Sequence, residues 1–518
     1  MSDEDLTTDR PTGDHLTAPP TPARLAVPGQ GWSDIGDGLS RVAAAVADHH
    51  HGAPLPYGTP RTMLAEVTDS LGPQRIPDNG IGEHDALVKV ASLVATYGLD
   101  LTHRLAAAHL QPPALTVSVI ADAVASASNA SLDTYDSGPA TLAIEKWTIT
   151  ALARMAGLPP TAGGVFGPGG SFSNLLALLI ARDQAAAQRR IDTRYHGVRD
   201  LRRPVVFCSR VAHFSVNRAC ATLGLGETAV IPIEVDEHHR MIPVALERSL
   251  AATGGTPVAI VATAGTTDFG TVDPLPAIAD IAARHNVWLH VDAAYGFGSL
   301  FSERLRHLLS GVQRADSITL DLHKIGWQPA AASVLLLRDE RRFSSLGRNV
   351  AYLNPEDDEE AGYGGLLGQT LQTTRRPDVL KVLATFLAYG RRGLGDMLDR
   401  CHEIALYAEQ RIAKELQLEL VAPVTLTTVV FRYRCADMDP VNAEVRRRLI
   451  SSGTALIGRT RVQLPDDQQP RTCLKLTLLN PLATEAHIDE LFDELLRAAL
   501  EVESENAENE SKQVSIHE

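Results

Sequence analysis

Cysteine is sparse in this chain. Its five copies, Cys208, Cys220, Cys401, Cys435 and Cys473, are scattered, odd in number and never in a Cys-x-x-Cys pair. Neither a disulfide framework nor a zinc knuckle fits that spacing, so the thiols are expected to be reduced and buried, in a cytoplasmic protein. Positive charge is also in deficit. A formal charge of -15 and a pI near 5.6 argue against nucleic acid or an anionic membrane as the main partner, since both need a clustered basic surface. No apolar run approaches the roughly 18 residues of a membrane span, and the opening MSDEDLTTDRPTGD is acidic where a signal peptide is basic and then apolar. Repeats of 20 to 50 residues are missing too, which sets aside solenoids and propellers.

What the chain has is length and ordinary globular composition. Its 518 residues, 44% hydrophobic and 21% charged, suffice for two or three packed domains. Residues 1–30, rich in Thr, Pro, Asp and Gly, and residues 501–518, acidic and polar, are expected to be disordered tails. His49, His50 and His51 sit between a helical stretch and a Pro/Gly loop and read as solvated, so no metal is expected. After a helical segment over residues 31–111, a large domain is expected at 112–390. From about Ala143 to Asp339 the apolar runs PVVFCS, TAVIPIEV, PVAIVATA, VWLHVDAA, DSITLDL and ASVLLLRD alternate with helical stretches such as LPAIADIAARH. Alternation of this kind predicts an α/β fold with a mostly parallel sheet, whose ligands bind beyond the carboxyl ends of the strands. A turn at Gly393 and Gly395 should then open a small α+β domain, residues 391–500. It holds the strands TLTTVVFRYR and CLKLTLL and a last helix capped by Thr484.

Chemistry concentrates between Gly164 and Lys324. In VWLHVDAAYGFG the carboxylate of Asp292 ends an apolar run among small residues that leave room for a flat ligand, and it could keep a pyridine nitrogen protonated. In SITLDLHK, Lys324 follows a strand, and an amine partly withdrawn from water becomes able to attack an aldehyde. Taken singly, the two would read as a cap and a solvated lysine. GVFGPGGSFSNLLALLIAR, from Gly164, joins a glycine-rich turn to a helix starting near Ser171, where free backbone N–H groups suit a phosphate. His213, after PVVFCS, could stack on an aromatic ring or simply be a satisfied buried histidine.

The order Ser171, His213, Asp292, Lys324 resembles that of the group II pyridoxal-dependent amino acid decarboxylases, a branch of the aspartate aminotransferase-like (fold type I) PLP-dependent transferase fold. The resemblance spans residues 112–495. Its most specific pieces are HVDAAYG, ADSITLDLHK with Gln328 and Pro329, and LQTTRRPD at 371–378. It implies that the large domain binds pyridoxal 5'-phosphate (PLP), with Lys324 joined to the coenzyme aldehyde, Asp292 on the ring nitrogen and His213 over the ring. Gly170 and Ser171 would hold the phosphate, His323 would line the pocket and Thr267 would lie near the coenzyme. It also implies a homodimer whose site is closed by a mobile loop of the neighbouring subunit. NPEDDEEAGYGGLLGQ, from Asn354, is the candidate loop and Tyr363 the candidate proton donor, or else an exposed loop residue without a role.

Substrate signals divide. SLDTYDSGPATLAIE, YLNPEDDEE, DLHKIGWQP and CLKLTLLNP look like the branch acting on diamino acids such as 2,4-diaminobutyrate, ornithine or lysine. FGPGGSFSN is closer to the glutamate and cysteine-sulfinate branch, although Lys475 stands where glutamate-type enzymes have an arginine. A diamino acid is the preferred reading. The alternatives are an acidic, aromatic or aliphatic substrate, another PLP reaction such as an aminotransferase or decarboxylating oxidase, and an inactive paralogue serving as a dimer partner.

Overall fold

A computed structural model describes residues 25–26, 29–348, 350–463 and 469–517. Most of the expected N-terminal tail thus lies outside the described residues. The chain opens with three helices, Gln30–His49, Pro60–Leu71 and Glu83–Tyr97, followed by a two-residue strand, β1 (Ala106–Ala107). The large domain holds β2 (Gly163–Gly167), β3 (Pro204–Ser209), β4 (Val230–Ile233), β5 (Thr256–Thr263), β6 (Trp288–Asp292), β7 (Ser317–Asp321) and β8 (Ser333–Leu337). They form one seven-stranded sheet in the order β2-β8-β7-β6-β5-β3-β4. β4 to β7 run parallel through β3, β5 and β6, while β8 is antiparallel to both β7 and β2.

The parallel strands read as unbroken apolar runs because both faces are covered. Alternate residues of β5 enter different cores, as a period of two requires. Ile260 and Ala262 pack with Ile278 and Ile281 of the helix Leu275–His285, whereas Ala259 and Val261 pack with Leu176 and Leu178 of the helix Gly170–Ala187. A buried ion pair fixes the sheet edge. Arg375 Nη1 donates to Glu145 Oε1 (2.9 Å) and to the Phe166 carbonyl (3.1 Å), and Phe166 N–H donates to the same carboxylate (3.2 Å). Burial pushes the Glu145 carboxyl up against the downward pull of Arg375.

The smaller sheet has β9 (Leu418–Leu420), β10 (Thr428–Tyr433), β11 (Leu456–Val462) and β12 (Arg471–Thr477), in the order β1-β11-β12-β10-β9. β1 comes from the N-terminal segment and pairs parallel to β11, Ala106 opposite Leu456. Two alanines carry no strand pattern, so this graft is invisible in the sequence.

Three expectations need correction. The glycine-rich stretch from Gly164 is strand β2 as far as Gly167, and the turn is confined to Pro168 and Gly169. The bend before the small domain falls at Gly390 (φ 60°, ψ -175°), inside the helical run Val379–Lys414, and not at Gly393 and Gly395. Gly395 answers a packing need, since a Cβ there would meet the Phe301 carbonyl at 2.6 Å. The tail expected to be disordered from residue 501 continues the last helix, Glu485–His517. That helix contains no Gly or Pro, its Glu501 and Glu505 pair with Arg448, and Glu503 accepts from the Tyr433 hydroxyl (2.6 Å). His487 N–H donates to Thr484 Oγ1 (3.3 Å) at its start.

All five cysteines are free, four buried and Cys435 half-buried. Among the described residues no helix is long and apolar enough to cross a membrane, and no group of three His, Cys, Asp or Glu is placed to hold a metal ion. His50 Nε2 instead meets Asp100 Oδ2 at 3.1 Å.

Candidate active site

The carboxyl ends of β5, β6 and β7 open onto the first turn of the helix Gly170–Ala187, around a cavity of about 400 Å³. Seven of the eight residues singled out in the sequence line it: Gly170, Ser171, His213, Thr267, Asp292, His323 and Lys324. Tyr363 does not. It is 59% exposed, with its ring edge-on to Tyr135 of the same chain at 5.5 Å. Its loop is tied to the segment before the helix Pro139–Met155, where Leu366 N–H donates to the Leu132 carbonyl (3.1 Å).

Lys324 stands three residues beyond β7, its Nζ 2.9 Å from Asp321 Oδ2. His323 Nε2 lies 3.5 Å from the same oxygen, and burial pushes its imidazole below the ordinary value. Asp321 Oδ1 is buried without a hydrogen-bond partner, as is Thr263 Oγ1, and both residues line the cavity. The glycine turn is shaped by two needs. Gly169 has φ 150°, ψ 160°, a region essentially closed to L side chains, and a Cβ on Gly170 would fall 2.8 Å from Asp321. No side chain caps the helix that follows; Phe172 and Ser173 N–H donate to the Gly169 carbonyl (2.9 and 3.1 Å), and Gly170 and Ser171 at its start line the cavity.

Asp292 is held rigidly at the end of β6. Its Oδ2 accepts from Asn174 Nδ2 (2.8 Å) and its Oδ1 from Ala294 N–H (3.1 Å). The same Asn174 amide donates to Ser215 Oγ (2.9 Å), which in turn contacts His213 Nδ1 (2.9 Å). Burial lowers the His213 proton affinity, and the nearby Asp292 charge opposes that.

Residues 74–434 match the pyridoxal-dependent decarboxylase conserved domain. The chain belongs to the pyridoxal-dependent decarboxylases. This decarboxylase is 39% identical over 457 residues to the L-2,4-diaminobutyrate decarboxylase of Rhizobium meliloti (strain 1021), covering 87% of the chain and 88% of that protein. To the enzyme of the same name from Acinetobacter baumannii it is 33% identical, covering 81% and 84%. Among solved structures it resembles the glutamate decarboxylase domain of the diaminobutyrate-pyruvate transaminase and L-2,4-diaminobutyrate decarboxylase from Vibrio parahaemolyticus. There the TM-score is 0.82 at 30% identity, covering 92% of this chain and 98% of that one.

The decarboxylase therefore has fold type I, uses pyridoxal 5'-phosphate and removes the carboxylate of an amino acid as carbon dioxide. Its cavity fits that coenzyme on its own evidence: an uncapped helix start, a primary amine, a carboxylate at a strand end and two orphaned buried oxygens. Sequence reasoning missed Asn174, Ser215, His290 and Asp321. Their signals were positional. Asp321 is three residues before Lys324, His290 shares the face of β6 with Asp292 at a spacing of two, and Asn174 lies one helical turn beyond Gly170.

Proposed function

We propose that the decarboxylase acts on a diamino acid of the 2,4-diaminobutyrate, ornithine or lysine class, releasing carbon dioxide and the corresponding amine. The observation that carries the substrate reading is the ion pair between Lys475 Nζ and Asp268 Oδ1 at 2.9 Å. Lys475 also donates to the Thr267 carbonyl (3.4 Å), next to the cavity. A cation already matched by a carboxylate offers little to an acidic side chain, and the likeness to two diaminobutyrate decarboxylases supports the same reading.

In this reading Lys324 would hold the coenzyme through its aldehyde, and Asp321 holds the Lys324 amine in place. Gly170 and Ser171 would hold the phosphate, with Thr267, His323 and His213 lining the rest of the coenzyme's cavity. Asp292 would keep a proton on the ring nitrogen. Bound there, the coenzyme would supply an electron sink for decarboxylation. The α carbon then needs a proton, which Tyr363 of a second copy delivers.

The protein works as a cytoplasmic homodimer. Support comes from Trp32, Leu39, Leu64, Val90 and Val94 on the N-terminal helices, all exposed in the single chain, and from a Tyr363 turned away from its own cavity. Free thiols and a formal charge of -15 fit that compartment.

A panel of amino acids assayed for carbon dioxide and amine tests the proposal. Turnover should be highest with a diamino acid. Preferred turnover of cysteine sulfinate or glutamate would overturn the substrate class, and stoichiometric keto acid or peroxide would overturn the reaction.

A further inference from the structure

We propose that Trp288, Ser317, His290 and Asn174 form a one-way hydrogen-bond chain beneath the cavity, which positions Asp292 and fixes which nitrogen of His213 carries its proton. The contacts are short and buried. Trp288 Nε1 donates to Ser317 Oγ (2.8 Å), Ser317 Oγ meets His290 Nδ1 (2.8 Å), and His290 Nε2 meets Asn174 Oδ1 (3.0 Å). Asn174 Nδ2 then reaches Asp292 Oδ2 and Ser215 Oγ, and Ser215 Oγ reaches His213 Nδ1.

The direction follows from the Asp292 end together with the complete burial of His290. An indole N–H can only donate, and an ionised carboxylate can only accept. At the first end, Ser317 accepts from Trp288 and keeps its hydroxyl proton and a second lone pair for its other contacts. From the other end, Asp292 demands the NH2 side of Asn174, which leaves Oδ1 facing His290 Nε2. The Asn174 contact thus places a proton on His290 Nε2, and in the uncharged ring Nδ1 accepts from the Ser317 hydroxyl. Beyond Asn174, Ser215 accepts from the amide and gives its own proton to His213 Nδ1, which also receives the Ser215 backbone N–H (3.3 Å). His213 is thereby left with its proton on Nε2.

In a one-way chain His290 both gives and takes, which requires the uncharged ring. Complete burial pushes its pKa down to about 4, which keeps it so. His290 does not line the cavity, and it acts through Asn174 as a positioning residue. The effect on coenzyme chemistry rests on reading the cavity as the PLP site, while the proton assignments stand without it.

The test uses full-length protein labelled with 15N-histidine, in which His213 and His290 are assigned from the H213Q and H290Q variants. Both rings should be neutral with the proton on Nε2 at neutral pH, before any coenzyme is added. A proton on Nδ1 of either ring, or a charged His290, would overturn the chain. The functional arm compares His290→Leu with His290→Gln, whose amide nitrogen can still donate to Asn174. His290→Leu should weaken coenzyme binding and lower kcat each by about tenfold, with KM held within about twofold, and His290→Gln should recover most of both. Equal behaviour of the two variants would remove the positioning role. Should the native chain take up no coenzyme at all, the functional reading fails, and the nitrogen shifts still decide the chain.

Discussion

Asp321 shows how much one oxygen position decides. Its Oδ2 holds Lys324 while its Oδ1 sits buried and idle beside the first residue of the cavity helix. Lys324→Ala should abolish the visible absorbance of bound coenzyme and lower carbon dioxide release by at least roughly a thousandfold; a variant that keeps its colour and rate would mean that another amine does the work. At the distal end, Asp268→Ala strips Lys475 of its counter-charge. The ratio of turnover on glutamate to turnover on a diamino acid should then rise by about tenfold, as measured with both substrates in competition. An unchanged ratio would mean that Lys475 does not face the substrate. Residues of this kind were only partly legible in the sequence. Lys324 and Asp292 stood out because each follows a recognisable apolar strand. Asn174 and His290 did not, because an amide in a helix and a histidine in a strand acquire meaning only from partners more than a hundred residues away.

At the scale of elements, the parallel strands declared themselves through unbroken Val, Ile, Leu and Ala runs, and β1, β9 and β11 did not. β11 carries a glycine and two arginines in seven residues, and only its neighbours supply the reason for its extension. The turn between β2 and the cavity helix invites a direct measurement. Gly169→Ala forces a side chain into φ 150°, a strain of about 1–3 kcal/mol, and should lower both the urea midpoint of the coenzyme-free protein and its coenzyme affinity. A neutral result would mean that the turn relaxes freely.

β6 makes a pH prediction. His290 has a folded pKa of about 4 against an ordinary 6.5, so between these values the unfolded chain binds the extra proton. Its contribution to stability is whole above pH 6.5 and shrinks as pH falls toward 4. The buried Asp273, raised to about 6, works in the opposite sense over pH 4 to 6. The H290Q variant should therefore lose stability less steeply than the native chain on acidification from pH 6.5, and parallel denaturation curves would contradict the assignment.

For the whole molecule, the decisive question is whether a second chain completes the cavity. Co-expressed Lys324→Ala and Tyr363→Phe chains, each inactive or nearly so alone, would form mixed dimers in which one of two sites has both native groups. With half the dimers mixed, activity should return to about a quarter of the native value. Activity no greater than the sum of the separate variants would assign Tyr363 to no neighbouring site.

The two-residue graft of β1 onto β11 carries a consequence for biosynthesis. Ala106 leaves the ribosome 350 residues ahead of its partner Leu456. At about 5–20 residues per second, that is a wait of roughly 20 to 70 s. Throughout that interval β1 has no partner strand, and the segment that carries it stays unanchored. Nascent chains halted before residue 456 should accordingly bind holdase chaperones through this arm, and release it once the last strands have emerged.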